Sequence, residues 1–164
     1  MAYKIGLEKE IFKFSCSHFT ILGADRAEHL HGHNYYVSIF IGVKELDPAL
    51  GIAFDFNAVK PLVRKITEDW DEFVLIPLCS PYLKIGHDLE SVTVIFGPKK
   101  YVFPIDDVKM IPAVNITTEE LSRIICEKLL VQLRLIPEIA VRATSLSVQV
   151  QETRGQSVQF QSSF

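Results

Sequence analysis

His29-Leu30-His31-Gly32-His33-Asn34-Tyr35-Tyr36-Val37-Ser38-Ile39-Phe40-Ile41-Gly42-Val43 is the stretch on which the reading of this chain turns. Tyr35, Val37, Ile39, Ile41 and Val43 occupy every second position. That is the period of a half-buried strand, so a strand is expected from about His33 to Lys44. His31 and His33 lie two apart at its start. Alternation sends both imidazoles to one face, roughly 6–7 Å apart along the backbone.

Upstream, Phe12, Phe14, Cys16 and His18 alternate with Lys13, Ser15 and Ser17 inside a long strand expected over residues 3–19. The polar segment Gly23-Ala24-Asp25-Arg26 breaks that strand. Together the two strands read as a large antiparallel hairpin with a wide loop, which can bring His18 beside His31 and His33. Three neutral imidazoles at about 2.0–2.1 Å satisfy three corners of a tetrahedral zinc ion and leave the fourth open. Gly32 lets the backbone bend or approach closely between two of them. Structural zinc sites usually contain cysteine, so an all-histidine set favours an open, catalytic type of site. The alternative is a polar HLHGH loop and an unrelated strand histidine at position 18. His29 is expected to face solvent, and His87 to cap or pair locally with Asp88.

Downstream, Asp47-Pro48-Ala49-Leu50-Gly51 reads as a turn. Phe56, Val59, Leu62, Val63, Ile66 and Trp70 recur at helical spacing. Pro61 fits only if that helix begins near Asn57 and holds the proline in its first turn. Residues 75–114 resemble an insertion, within which Ser91–Phe96 and Lys100–Phe103 flank Gly97-Pro98 as an accessory hairpin. Thr117 with Glu120 three residues later is a capping-box pattern. The helix it opens buries Leu121, Ile124, Ile125, Leu129 and Leu133, and Leu135-Ile136-Pro137 ends it. A strand from Ser145 to Thr153 and a short closing strand through Val158 and Phe160 complete the order. The expected fold is α+β, an antiparallel sheet with two helices on one face, in a single domain over residues 1–164.

Composition narrows the function classes. With 17 Lys+Arg against 20 Asp+Glu the net charge is −3, and no basic cluster suggests a nucleic-acid partner. The longest apolar runs fall short of the ~20 residues that span a bilayer. The three cysteines, Cys16, Cys79 and Cys126, form no CxxC, and the N-terminal residues show no apolar leader core. A cytoplasmic protein is expected.

The pieces FSCSHF (14–19), HLHGHNYYV (29–37), GIAFDFNAVK (51–60), NITTEEL (115–121) and VQETR (150–154) occur in the order found in one family. The chain resembles the 6-pyruvoyl-tetrahydropterin synthase / 6-carboxy-tetrahydropterin synthase (QueD) family. The resemblance implies a tunnelling fold (T-fold), a homohexamer of packed rings, active sites at subunit interfaces, and a pterin substrate. It also implies that His18, His31 and His33 bind zinc, that Glu152 anchors the pterin ring, and that Thr117 and Thr118 line its pocket. A single carboxylate can accept the ring N–H and exocyclic amine of a pterin together. Without the resemblance Glu152 reads as an exposed strand-end glutamate. Asp55 matches a DF turn, for which a helix-start role is expected.

Two departures stand out. Where the commonest members carry a cysteine four residues before the first HGH histidine, this chain has Ala27, followed by Glu28. That pattern is similar to the PTPS-III subgroup, in which a glutamate serves as the acid/base group. Cys16 lies off the family's cysteine position. The LDH-type motif keeps its aspartate as Asp71 and replaces its histidine by Glu72; a glutamate ordinarily titrates near ~4.3, a histidine near neutrality. The leading expectation is a zinc-dependent lyase trimming 7,8-dihydroneopterin triphosphate to a 6-hydroxymethyl-dihydropterin, with Glu28, Asp71 and Glu72 as acid/base groups. A 6-carboxy- or 6-pyruvoyl-tetrahydropterin synthase is the second reading, and a zinc- and pterin-binding oligomer without turnover the third.

Overall fold

The computed structural model describes residues 3–164. Its centre is β3 (His31–Val43), whose apolar positions Tyr35, Val37, Ile39, Ile41 and Val43 are all buried, as the alternation requires. The expected first strand is instead two, β1 (Tyr3–Leu7) and β2 (Lys13–His18), which pair antiparallel with successive lengths of β3. Leu7 stands opposite Ile39 and Lys13 opposite Tyr36, so residues 8–12 face only Val37 and Ser38. The reason is parity. Leu7 is odd-numbered and Phe12, Phe14, Cys16 and His18 are even-numbered, yet all are buried. A continuous strand would send the two sets to opposite faces; an odd number of extra residues brings them to one.

Beyond β3 lie β9 (Ala143–Thr153) and β10 (Gln156–Ser163), both antiparallel, with Tyr36 opposite Gln151. The other edge departs from the expected antiparallel sheet. There β4 (Phe73–Pro77) runs parallel to β2, and β8 (Val108–Ile111) runs parallel to β4. Between these two, the accessory hairpin is present as β6 (Ser91–Phe96) and β7 (Lys99–Pro104), and β5 (Lys84–His87) extends it to three strands.

Helix α1 (Phe56–Trp70) begins where Asp55 accepts from the amide of Asn57, the helix-start role expected of it. Pro61 sits in the second turn, not the first, and is exposed. Phe56 is also exposed, so the buried stripe is Val59, Val63, Thr67 and Trp70. Helix α2 (Thr118–Leu133) is capped by Thr117, which accepts from the Glu120 amide. Only half of the capping box forms, because the Glu120 carboxylate pairs with Arg123. A one-turn α3 (Pro137–Ala140) follows, opened by Pro137.

α1 packs on β2 and α2 on β9 and β10, all on the face carrying the buried even-numbered residues of β2. Phe14, stacked on Tyr35 at 5.1 Å and edge-on to Trp70 at 5.5 Å, anchors this main core. A second apolar cluster lies on the sheet's other side. Phe19, Ile21 and Ile76 meet Val92, Val94 and Phe96 of the accessory sheet there.

Candidate functional site

Strand register places the three histidines. His18 pairs directly with His31 and Cys16 with His33, so all three imidazoles share a face. Their ring centroids lie 4.8, 5.5 and 4.7 Å apart, and one nitrogen from each falls within 4.8 Å of the others. His18 is buried; His31 and His33 are half-buried. Tyr35 continues the same row on β3, and Glu152 follows from β9. Five candidate site side chains on one face thus come from three adjacent strands.

Backbone carbonyls set the tautomers. The carbonyl of Ile116, just before α2, lies 3.1 Å from His18 Nδ1, and the carbonyl of His29 lies 2.7 Å from His31 Nδ1. A carbonyl only accepts, so each Nδ1 carries a proton, and in the neutral ring the lone pair is on Nε2. Burial, then the neighbouring His31, holds His18 below the ordinary imidazole value and keeps it neutral. Glu152 Oε1 stands 3.3 Å from His33 Nε2 and 3.8 Å from His18 Nε2. The Tyr35 hydroxyl donates to Glu152 Oε1 at 2.9 Å and also lies 3.0 Å from His18 Nε2. Burial and the Glu152 carboxylate hold this phenol well above its usual range, so it stays protonated.

That leaves too many acceptors. One hydroxyl proton serves both a carboxylate oxygen and an imidazole lone pair, with a second free Nε2 on His31 beside them. A metal cation held by one nitrogen from each of the three rings would remove the competition. Small side-chain rotations would bring them to the ~3.4 Å spacing that tetrahedral coordination at about 2.0–2.1 Å implies. The donor set therefore fits a metal ion. Cys16 lies in the same row, but burial, reinforced by Glu152 and Asp71, pushes its thiol up to about 12. It is a neutral core thiol.

Glu28 reaches His31 from outside the sheet, Oε2 to Nε2 3.9 Å. The expected wide loop is a tight hairpin: the Glu28 amide donates to the Thr20 carbonyl at 2.9 Å and the Leu22 amide to the Arg26 carbonyl at 2.8 Å. The Thr20 amide also donates to the Glu28 carboxylate at 3.2 Å; the Thr20 hydroxyl first, and this amide with it, hold the Glu28 pKa below the usual glutamate value. Glu28 is therefore ionised and able to accept a proton. His29 faces solvent, as expected.

Asp71 and Glu72 are not brought to the histidines. Asp71 Oδ1 accepts from the Ser15 amide at 2.7 Å, tying the end of α1 to β2. Glu72, with φ of 65°, lines an open concavity of about 560 Å³ with Ser15, Ser17, Asn34 and Asp107. Ser15, Ser17 and Asn34 alternate to the face opposite the trio. Thr117 is spent on the α2 cap, although it adjoins the Ile116 carbonyl that orients His18; Thr118 hydrogen-bonds Glu119. Nor does His87 hold Asp88, whose carboxylate accepts from the Glu90 and Ser91 amides. Sequence reasoning missed Tyr35, which the strand alternation puts in the histidine row. It also missed Asn115, whose amide clamps the Ile21 backbone through two hydrogen bonds of 3.0 and 2.8 Å.

The pattern of the 6-pyruvoyl tetrahydropterin synthase family matches residues 7–163, the whole site included. The chain belongs to that family. Among its curated relatives, a protein of Methanocaldococcus jannaschii provisionally named 6-carboxy-5,6,7,8-tetrahydropterin synthase is 27% identical over 67% of this chain. The 6-carboxy-5,6,7,8-tetrahydropterin synthase of Rickettsia bellii is 31% identical over 54% of it. The matches span 66% and 61% of those two proteins, a little under two thirds of their length. Among solved structures, the 6-pyruvoyl tetrahydropterin synthase of Plasmodium vivax superposes with a TM-score of 0.92 at 26% identity, covering 100% of this chain and 99% of that one. The Plasmodium falciparum enzyme, at 24% identity and TM-score 0.92 over 99% of each chain, shares the fold. Further P. vivax structures carry that enzyme with a catalytic glutamate replaced, by alanine in one and by cysteine in another. The T-fold expected from the sequence is the fold of these neighbours. No helix among the described residues is long and apolar enough to cross a membrane.

Proposed function

We propose that this protein is a zinc-dependent lyase that shortens the side chain of 7,8-dihydroneopterin triphosphate, or a close dihydropterin relative, to a 6-hydroxymethyl group. One observation carries the reading: three imidazoles, each able to offer a nitrogen lone pair, converge with the ionised Glu28 beside them and no thiolate among them. Zinc held by His18, His31 and His33 would supply Lewis acidity toward the substrate's side-chain hydroxyls. Glu28 takes the proton of the 2′-hydroxyl. As the C2′ carbonyl forms, the C1′–C2′ bond breaks and its electron pair passes to C1′ and the adjoining ring C=N. C1′ is then protonated, and Glu28 is the group placed to return the proton. Glu152 orients the pterin ring, and Tyr35 holds its Oε1. Thr117 and Thr118 border the ring's side of the pocket.

The catalytic glutamate of the P. vivax enzyme supports an acid–base glutamate on this scaffold. Within one chain Asp71 and Glu72 lie away from the trio, so an acid–base role for them would need a neighbouring copy's site, in keeping with the homohexamer of packed rings that the family resemblance implies. The names of the curated relatives favour a second reading, 6-carboxy-tetrahydropterin synthesis from the same substrate. Mass spectrometry of the product formed by zinc-loaded protein from 7,8-dihydroneopterin triphosphate decides. A hydroxymethyl-pterin supports the first reading and a carboxy-pterin the second. Tight pterin binding without product defeats both and leaves a binding protein.

A further inference from the structure

Glu28 stands on a hairpin that the main core does not support. Residues Thr20 to Glu28 form it, with Ile21 bridged to Ala27. Two of its apolar side chains, Ile21 and Ala27, and the flanking Phe19 and Leu30, join the second cluster and not the first, while Leu22 is exposed. The reason is again parity: His18 points to the main core, so Phe19, the next residue on the chain, points to the sheet's other side. There Phe19 is buried and stacks on Tyr101 of β7 at 5.4 Å with the rings 22° apart; Tyr101 in turn stacks on Phe103 at 6.0 Å. At the start of the same strand, Lys99 Nζ donates to the Glu28 carbonyl at 3.4 Å. The Asn115 clamp fixes only the Ile21 side of the hairpin. The contact that reaches the Glu28 backbone from outside the hairpin comes from the accessory sheet.

We propose that the accessory sheet β5–β7 is a bed that sets the Glu28 carboxylate against His31, with Tyr101 and Lys99 as positioning residues. The role of Glu28 in turnover rests on the reading above; the seating of its hairpin does not. A side-chain stack and a lysine tether act together because the hairpin has few backbone hydrogen bonds of its own. A segment so sparsely bonded opens locally unless packing restrains it.

The test has two readouts. In Tyr101→Ala, hydrogen exchange at the Thr20 and Glu28 amides should accelerate on the order of tenfold, while amides of β3 and β9 keep their wild-type rates. Metal stoichiometry and KM should stay unchanged, and kcat should fall about tenfold, since a ~1 Å misplacement can cost up to 10²-fold. Tyr101→Phe keeps the stacked ring and should restore both exchange and rate. Lys99→Met, which leaves the cluster intact, should give a smaller change of the same kind, about twofold to threefold for one modest hydrogen bond. Wild-type exchange at Thr20 and Glu28 in both variants would overturn the proposal, as would acceleration spread equally through β3 and β9. If the wild-type protein makes no product, the catalytic reading fails, yet the exchange data still decide whether the sheet seats the hairpin.

Discussion

The two halves of the site rest on different foundations. His18, His31, His33, Tyr35 and Glu152 come from paired strands on the face that carries the main core, where Phe14, Tyr35 and Trp70 interlock. Glu28 rides on a short hairpin over the smaller cluster, with its side chain 42% exposed. The first half is built for a fixed arrangement of nitrogens. The second half places one carboxylate on a small piece that can shift without disturbing the strands. Metal binding and proton transfer should therefore separate under mutation.

The largest expected effect is that of His18→Ala. Loss of an outer partner of a metal ligand already costs 10–100-fold in affinity, so removing the ligand itself should weaken zinc binding by more than about 100-fold and abolish turnover. A chelator-competition titration measures it, and retention of stoichiometric zinc would break the comparison at its root. Next, Glu28→Gln should keep zinc bound and slow turnover by about 10²–10⁴, the usual contribution of a positioned acid–base group. If it releases the metal instead, the two halves are one unit. Tyr35→Phe removes the hydroxyl shared by Glu152 and His18. It should weaken pterin binding by roughly tenfold through the loosened Glu152 carboxylate, on the ~1–3 kcal/mol scale of a buried partner lost, read in a pterin-binding titration, and leave the Glu28 hairpin's exchange rates alone.

The smallest effect is a pH slope. His18 has its folded pKa lowered. The unfolded chain thus takes up the proton first, near about 6.5, and stability rises with pH through that region. Chelator-treated protein should keep this contribution in full above about pH 6.5 and lose it as pH falls, in denaturant titrations across pH. A flat profile would mean that His18 is not held neutral.

The sequence made the metal half legible and most of the acid–base half opaque, for a physical reason. A period of two is a local property, so alternation alone put His31, His33 and the buried residues of β3 on one face. The resemblance to the family added Glu152 and Glu28. The break in residues 8–12 was unreadable from the 12–18 alternation, although the change of parity between Leu7 and Phe12 signals it. The parallel strands β4 and β8 left no such trace: their partners are set by tertiary packing, and residues 75–114 read only as an insertion around a hairpin. Asp71 and Glu72 read as acid/base groups from a motif whose histidine Glu72 replaces, and no sequence pattern shows that the Ser15 amide holds Asp71 or that Glu72 takes a positive φ beside the other concavity.

The Ile116 carbonyl that orients His18 is separated from it by 98 residues, and Tyr35 finds its carboxylate 117 residues further on. During translation the first histidine leaves the ribosome long before either partner exists, and β9 must thread in beside β3 to finish the constellation. Any ion that the three imidazoles hold would then be captured in its final surroundings only late in biogenesis, after the chain through β9 has been made.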